Sequence, residues 1–443
     1  MGRRRGRRRA RATAADQRAA RRVIAHCHAL LSERGEVSGA RLALEALDAW
    51  SALGDTAQGL FFDLLVAEFS PDPQRVARAA DAYRETPSQE NLIGLQQAVE
   101  PPRQELFRRL NMASGGTARL VGMRKRLLRD LREQREWQGI EADLSHLLSS
   151  WFNRGFLTLQ RIDWRTSALV LEKLIHYEAV HAIQGWHDLR RRLQGDRRCY
   201  AYFHQALPEE PVIFIEVALT RGLSSRVQPL IEPDSPVVEA GEADSAIFYS
   251  ITNCQEGLRG VSFGNLLIKQ VAEDLGREFP RLKVFATLSP IPGFRRWLAG
   301  AAKAKGADPA LGPLLERLQA VDWHTDKPLA AEAQKRLAPL CAHYLLEVKQ
   351  GREPLDPVAR FHLGNGARLE RLNWLGDVSE AGMQRSFGMM VNYVYRLVEV
   401  EANHEAYAQA GRVAASGRLL SLARESARNV KSANRDEQAE AKS

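Results

Sequence analysis

Residues 244 to 297 leave this chain little freedom in what it folds into. Ser245-Ala246-Ile247-Phe248-Tyr249-Ser250-Ile251 is short, apolar and aromatic, the composition of a buried strand. Arg259-Gly260-Val261-Ser262-Phe263-Gly264 follows and opens a helical pattern from Asn265 to Glu278, which Pro280 stops. Lys283-Val284-Phe285-Ala286-Thr287-Leu288 reads as a second buried strand, and Ser289-Pro290-Ile291-Pro292-Gly293-Phe294 breaks it. A strand that feeds a glycine loop at a helix N-terminus makes an anion site. Backbone N–H groups point outward there, and the helix dipole adds partial positive charge. Gly260 and Gly264 would let a phosphate approach the backbone, because no Cβ stands in the way. The spacing is neither the Walker pattern nor the dinucleotide fingerprint. The plainer reading is an ordinary strand-to-helix turn.

The rest of the chain supplies a large soluble frame for that unit. Its 443 residues, 44% hydrophobic and 26% charged, suffice for two or three domains with at least one sizeable core. No apolar run approaches a membrane span of about 20 residues. The formal charge of +9 sits in residues 1–22, which hold ten Arg and one Asp, while the remaining 53 basic and 53 acidic residues cancel. A core with no basic surplus is not expected to bind nucleic acid. The Arg-rich start has no apolar stretch of the secretory kind, and reads as a flexible basic tail, a basic arm or a transit-like segment. Cys27, Cys199, Cys254 and Cys341 are scattered with no CxxC pair, which points to a reducing compartment and away from a disulfide framework or structural zinc. A cytoplasmic protein is expected, or one of the mitochondrial matrix if the tail is a transit segment.

From Val23 to about Arg154 helix follows helix. Leu60, Phe61, Leu64, Leu65 and Phe69 make one apolar face, and Leu120, Met123, Leu127 and Leu131 another. Pro101-Pro102 and Gly115-Gly116 mark bends inside this bundle. His26-Cys27-His28 does not converge on one helix face, so it reads as a chance cluster. Beyond Asn153, Leu169 to Leu193 reads as one long helix whose histidines lack the spacing of a metal site. Strands are expected at 199–204 and 211–219, which with 245–251 and 283–288 give a mixed α/β domain. Residues 298–350 return to helix, with Pro328 and Pro339 between segments. Ser379 opens a last helix that carries Met389 to Tyr395, and after Gly411 the chain turns into a polar, mobile tail. The expected fold is α+β, with a basic tail at 1–22, a helical domain at 23–155, a mixed α/β domain at 156–411 and a polar tail at 412–443.

Several segments together carry a resemblance. The loop Arg259–Asn265 looks like the pyrophosphate loop of the acyl-CoA N-acyltransferase superfamily. His176–Ile183, Phe214–Leu223, Ala246–Ile251, Gly260–Asn265, Leu288–Phe294, Phe361–Ala367 and Met390–Tyr395 resemble malonyl-CoA decarboxylases. The strings Leu288-Ser289-Pro290-Ile291-Pro292-Gly293-Phe294 and His362-Leu363-Gly364-Asn365-Gly366-Ala367 are rare and make the match specific. The resemblance covers about residues 160–400 and implies a helical oligomerisation domain, with tetramers suggested by the family, ahead of an acyl-CoA N-acyltransferase-like catalytic domain. It implies conversion of malonyl-CoA to acetyl-CoA and carbon dioxide. Arg259, Gly260, Val261, Ser262, Phe263, Gly264 and Asn265 would hold the CoA portion, Ser289 and His362 would be the catalytic pair, and Tyr395 would sit at a further pocket position. Ser262 stands where an acidic residue is expected in animal members.

Chemistry fits that implication. Loss of carbon dioxide leaves a carbanion beside the thioester, whose carbonyl takes the charge as an enolate, so neither metal nor cofactor is expected. The protein must supply an oxyanion donor, a place for the carboxylate and an acid for the α-carbon. Ser289, at the end of a strand expected beside 245–251, can bond the carboxylate or accept a proton. His362 is the group expected to titrate near neutral pH and deliver the proton, with Asn365 or Asn373 to orient it. Lys269 and Lys283 are candidates for the CoA phosphates. Two other readings stay open: an acyltransferase of the same superfamily, and a non-catalytic acyl-CoA sensor.

Overall fold

The computed structural model describes residues 12–178, 180–261, 263, 267–304 and 308–426. The chain divides into two compact units. The first comprises Met1–Thr158, Phe203–Val212 and Gln255–Phe263, so the segment with Arg259 belongs to it. Its helices are α1 (Ala14–Ser32), α2 (Glu36–Ser51), α3 (Asp55–Glu68), α4 (Pro73–Glu85), α5 (Gln89–Val99), α6 (Pro102–Asn111), α7 (Gly116–Asp130) and α8 (Gln138–Trp151). Phe61, Phe62, Leu65, Leu120, Leu127 and Trp137 are among its core residues, which realises both expected apolar faces. The basic start is shorter than expected. Thr13 caps α1 in a capping box with Asp16, and Ala20 is fully buried, so helix replaces tail from residue 14 onward.

The chain continues through β1 (Leu157–Ile162), α9 (Ala168–Tyr177), α10 (Trp186–Arg192), β2 (Arg197–His204), β3 (Pro211–Thr220), α11 (Gln228–Ile231), β4 (Ser245–Asn253) and α12 (Leu267–Glu278). Then come β5 (Val284–Thr287), β6 (Ser289–Pro290), α13 (Phe294–Ala301), α14 (Leu311–Arg317), α15 (Lys327–Leu346), β7 (Lys349–Gln350) and β8 (Glu353–Pro354). The last elements are α16 (Pro357–Gly364), β9 (Arg368–Asn373), α17 (Glu380–Ser386), β10 (Met390–Val394) and α18 (Val400–Ala410). The main sheet has the order β1-β2-β3-β4-β5-β10-β6, with β9 on β10. This helical-then-mixed layout is the expected α+β class. No helix among the described residues is long and apolar enough to cross a membrane.

Four local expectations need correction. Leu169–Leu193 is two helices, because the Glu178 carboxylate accepts the N–H groups of Val180 and His181 at 2.7 and 2.9 Å and ends the first. Pro339 lies inside α15, not between segments. Met389–Tyr395 is not helical. Phe387 and Gly388 take positive φ (54° and 74°) and stop α17, and Met390–Val394, rich in β-branched and aromatic residues, enters the sheet instead. Finally, residues 417–426 are helical, with Leu419 and Ala423 buried, so order extends well past Gly411.

The strand arrangement sets up the site. β4 and β5 pair in parallel from Ser245↔Val284 to Phe248↔Thr287 and no further. β4 runs on against β3 to Asn253, while Ser289 and Pro290 turn to pair with Val391 and Met390. Pairing between β4 and β5 therefore ends immediately before Ser289.

Candidate active site

Ser289, His362 and Tyr395 come together in the second unit. Ser289 Oγ lies 3.0 Å from His362 Nε2, and His362 Nδ1 lies 2.8 Å from the Tyr395 hydroxyl. All three are buried, with exposures of 5%, 3% and 1%. Each arrives on a different element for a local reason. Ser289 follows β5, where Leu288 N–H still donates to Phe248 O. Tyr395 follows β10 and is tied down by its N–H on Phe285 O at 2.8 Å.

His362 rides on α16, whose N-terminus is built by Asp356 and Pro357. The Asp356 carboxylate accepts from Val358 N and Ala359 N at 3.0 Å each. Gly366 then closes the helix at φ 79°, where an added Cβ would meet Val400 O at 2.1 Å. The glycine of the His-Leu-Gly-Asn-Gly-Ala string is thus needed twice, for its backbone conformation and for the close approach.

Two further residues complete the row, and neither was picked out from sequence. Ser289 Oγ donates to Thr287 Oγ1 at 2.8 Å, and Thr287 Oγ1 also accepts Tyr393 N–H at 3.2 Å. The Tyr393 ring stacks on His362 with centroids 4.6 Å apart. The available signal was strand alternation: Thr287 precedes Ser289 by two, and Tyr393 precedes Tyr395 by two. Reading Met389–Tyr395 as helix concealed it.

The row admits two proton orders. With Ser289 donating to Thr287, Nε2–H donates to Ser289 Oγ and Nδ1 accepts from the Tyr395 O–H. Reversing the hydroxyls puts the ring proton on Nδ1 instead. Burial pushes His362 down to about 3 and Tyr395 well above the usual phenol range. His362 is therefore neutral at pH 7, and the expectation that it titrates near neutrality is corrected.

The expected orienting groups are engaged elsewhere. Asn365 Nδ2 donates to Phe361 O at 2.7 Å, and Asn373 Nδ2 donates to Asn392 Oδ1 at 2.8 Å. The His362 ring is held by Ser289 and Tyr395. Lys269 pairs with Glu401 at 2.6 Å, and Lys283 N–H donates to Asp244 O.

Of the glycine loop, Arg259, Gly260, Val261 and Phe263 belong to the first unit. Arg259 is exposed, Gly260 has φ 82° with open space where a Cβ would be, and Val261 and Phe263 are buried. Ser262, Gly264 and Asn265 lie outside the described residues. Among the described residues no group of three His, Cys, Asp or Glu side chains could hold a metal ion.

Comparison with known proteins agrees along nearly the whole chain. The model of the malonyl-CoA decarboxylase C-terminal domain matches residues 155–433, and that of the N-terminal domain matches 69–152. The mitochondrial malonyl-CoA decarboxylase of Anser anser anser is 36% identical over 406 residues, covering 83% of this chain and 80% of the relative. The crystal structure of malonyl-CoA decarboxylase from Rhodopseudomonas palustris superposes with a TM-score of 0.87 at 47% identity, covering 90% of this chain and 98% of that one. That from Agrobacterium vitis gives 0.85 at 49% identity, covering 90% and 99%. This chain belongs to the malonyl-CoA decarboxylase family.

Proposed function

We propose that the chain converts malonyl-CoA to acetyl-CoA and carbon dioxide with Ser289 and His362 as the catalytic pair. The observation that carries this reading is the buried Ser289–His362–Tyr395 row at the point where β4 and β5 stop pairing. The bond between the carboxylate carbon and the α-carbon breaks, its electron pair passes into the thioester as an enolate, and carbon dioxide leaves. One proton must then reach the α-carbon. The row supplies it through the Ser289 hydroxyl or His362 Nε2–H, with Tyr395 refilling Nδ1 and solvent restoring the net proton consumed. A neutral imidazole suits the step, since a fixed positive charge would hold the departing carboxylate in place. Excluding water strengthens each of these hydrogen bonds.

On this reading Arg259, Gly260, Val261, Ser262, Phe263, Gly264 and Asn265 meet the CoA portion. The positive φ of Gly260 and the inward packing of Val261 and Phe263 support contact through backbone rather than side chain. A cytoplasmic enzyme is supported by four buried cysteines that form no disulfide among the described residues. A homo-oligomer formed through the helical unit is supported by α4 and α5, of which only Ala98 is buried while Ile93 and Val99 are 50% and 46% exposed.

The test is to incubate purified protein with malonyl-CoA and follow acetyl-CoA by mass spectrometry, beside His362→Ala. Stoichiometric acetyl-CoA from the parent and none from the variant, with CoA binding retained in both, is the expected result. Full turnover by the variant would remove His362 from the mechanism. Binding without turnover by the parent would favour the sensor or the acyltransferase.

A further inference from the structure

The second unit carries a cleft of about 350 Å³ between α15, the end of β9 and the helix at 417–426. Three cations line it, Lys335, Arg371 and Arg418, against one carboxylate, Glu425. Among the described residues Lys335 and Arg418 make no ion pair and no side-chain hydrogen bond, and Glu425 is joined to none of the three. Arg371 is held below the ordinary guanidinium range first by burial and then by the charge of Arg418. Leu372, Trp374 and Leu419 add apolar lining to the same cleft.

Arg371 also faces inward. Its Nη2 donates to the carbonyls of Leu223 and Ser224 at 2.8 and 3.0 Å, and its Nε to Asn373 Oδ1 at 2.8 Å and Asn392 Oδ1 at 3.2 Å. Asn392 Nδ2 in turn donates to Thr287 O at 2.7 Å. A continuous run of hydrogen bonds therefore joins the cleft to the strand that presents Thr287 and Ser289. The Nη1 of Arg371 has no hydrogen-bond partner among the described residues.

We propose that this cleft binds a small organic carboxylate carrying a short apolar chain, and that binding is transmitted along Arg371, Asn392 and Thr287 to the Ser289 strand. A bare oxyanion would satisfy the cations and leave the apolar lining of Leu372, Trp374 and Leu419 against water. A neutral apolar molecule would cover that lining and leave three cations facing a single carboxylate, Glu425. A carboxylate with a carbon chain answers both, with Arg371 and Arg418 as its charge-assisted donors. The volume lies within the usual range for small-molecule sites, about 300–1,000 Å³. This site is separate from the malonyl-CoA reading and does not depend on it.

The experiment uses the full chain with sodium octanoate as probe. Isothermal titration calorimetry compares the parent with the double variant Lys335→Ala/Arg418→Ala, whose positions are both exposed, after thermal melts show the same fold. Octanoate should bind the parent and lose at least tenfold in affinity in the variant, while inorganic phosphate and octan-1-ol bind neither measurably. Equal octanoate affinity in the two proteins, or phosphate binding as tight as octanoate, overturns the site. Hydrogen–deuterium exchange reads the transmission: octanoate should slow exchange in peptides spanning 221–227 and 284–290 of the parent alone. Slowing confined to residues 331–339 and 417–426 overturns the link to the strand, and slowing that persists in the double variant places octanoate elsewhere.

Discussion

The Tyr395 hydroxyl sits 2.8 Å from Nδ1 of His362, so the imidazole is gripped at the ring atom opposite the one that meets Ser289. Both side chains are buried, and the direction of the phenol hydrogen bond goes with which ring nitrogen carries the proton. Replacing Tyr395 with Phe should lower kcat about tenfold with KM little changed, since the lost hydrogen bond is worth about 1 kcal/mol and an unpaired buried nitrogen costs about 1–3 kcal/mol. Steady-state kinetics with malonyl-CoA and a thermal melt check this. A rise in KM alone would mean that Tyr395 contacts substrate rather than His362.

Removing the pair itself should be far more severe. Ser289→Ala and His362→Asn are each expected to reduce kcat by about 10²–10⁴, the range for a positioned proton donor. The double variant should be no worse than the more damaging single one, because both act in one proton transfer. Additive losses would show that the two residues act in separate steps.

Thr287 is expected to act through Ser289. Thr287→Val removes the oxygen that accepts the Ser289 hydroxyl and Tyr393 N–H. A loss of about tenfold in kcat should follow, while Thr287→Ser restores most of it. Failure of the serine variant to rescue would mean that Thr287 matters through packing of its methyl group.

Acid should weaken the fold through its buried histidines. His362 is pushed down to about 3 and His181 to about 4, both by burial first, against about 6.5 in an unfolded chain. Between those values the unfolded state binds more protons than the native one. Stability is then complete above about pH 6.5 and declines as pH falls, by up to about 1.4 kcal/mol per pH unit for each histidine. Urea titrations at pH 7.5, 6.0 and 5.0 should show this decline, and His362→Asn should make it shallower without abolishing it, since His181 remains.

Gly366 should tolerate no side chain. Gly366→Ala adds a Cβ 2.1 Å from Val400 O at a backbone φ of 79°. A loss on the order of 3 kcal/mol is expected, read from a denaturant midpoint. Gly364→Ala, whose Cβ would meet nothing closer than Tyr407 at 4.0 Å, is the control and should be nearly neutral.

Much of this was legible in the residues because it rests on local chemistry. The strand at 245–251, the helix ending at Glu278 and the break at Ser289-Pro290 follow from apolar runs, proline and glycine. The apolar faces of α3 and α7 follow from helical spacing, and Ser289 and His362 stood out in two rare strings. Other features depend on partners distant in sequence. Met390–Val394 has the length of a strand or of a helical turn, and it became strand because β9, β5 and β6 offered it hydrogen bonds. The helix at 168–192 broke because the Glu178 carboxylate found Ser250 and Thr252, more than 70 residues away, as well as its own backbone. His362 lost its neutral-pH titration to burial, which no local pattern encodes. Residue type set what each group could do, and long-range contacts set its protonation, its neighbours and the atom it faces.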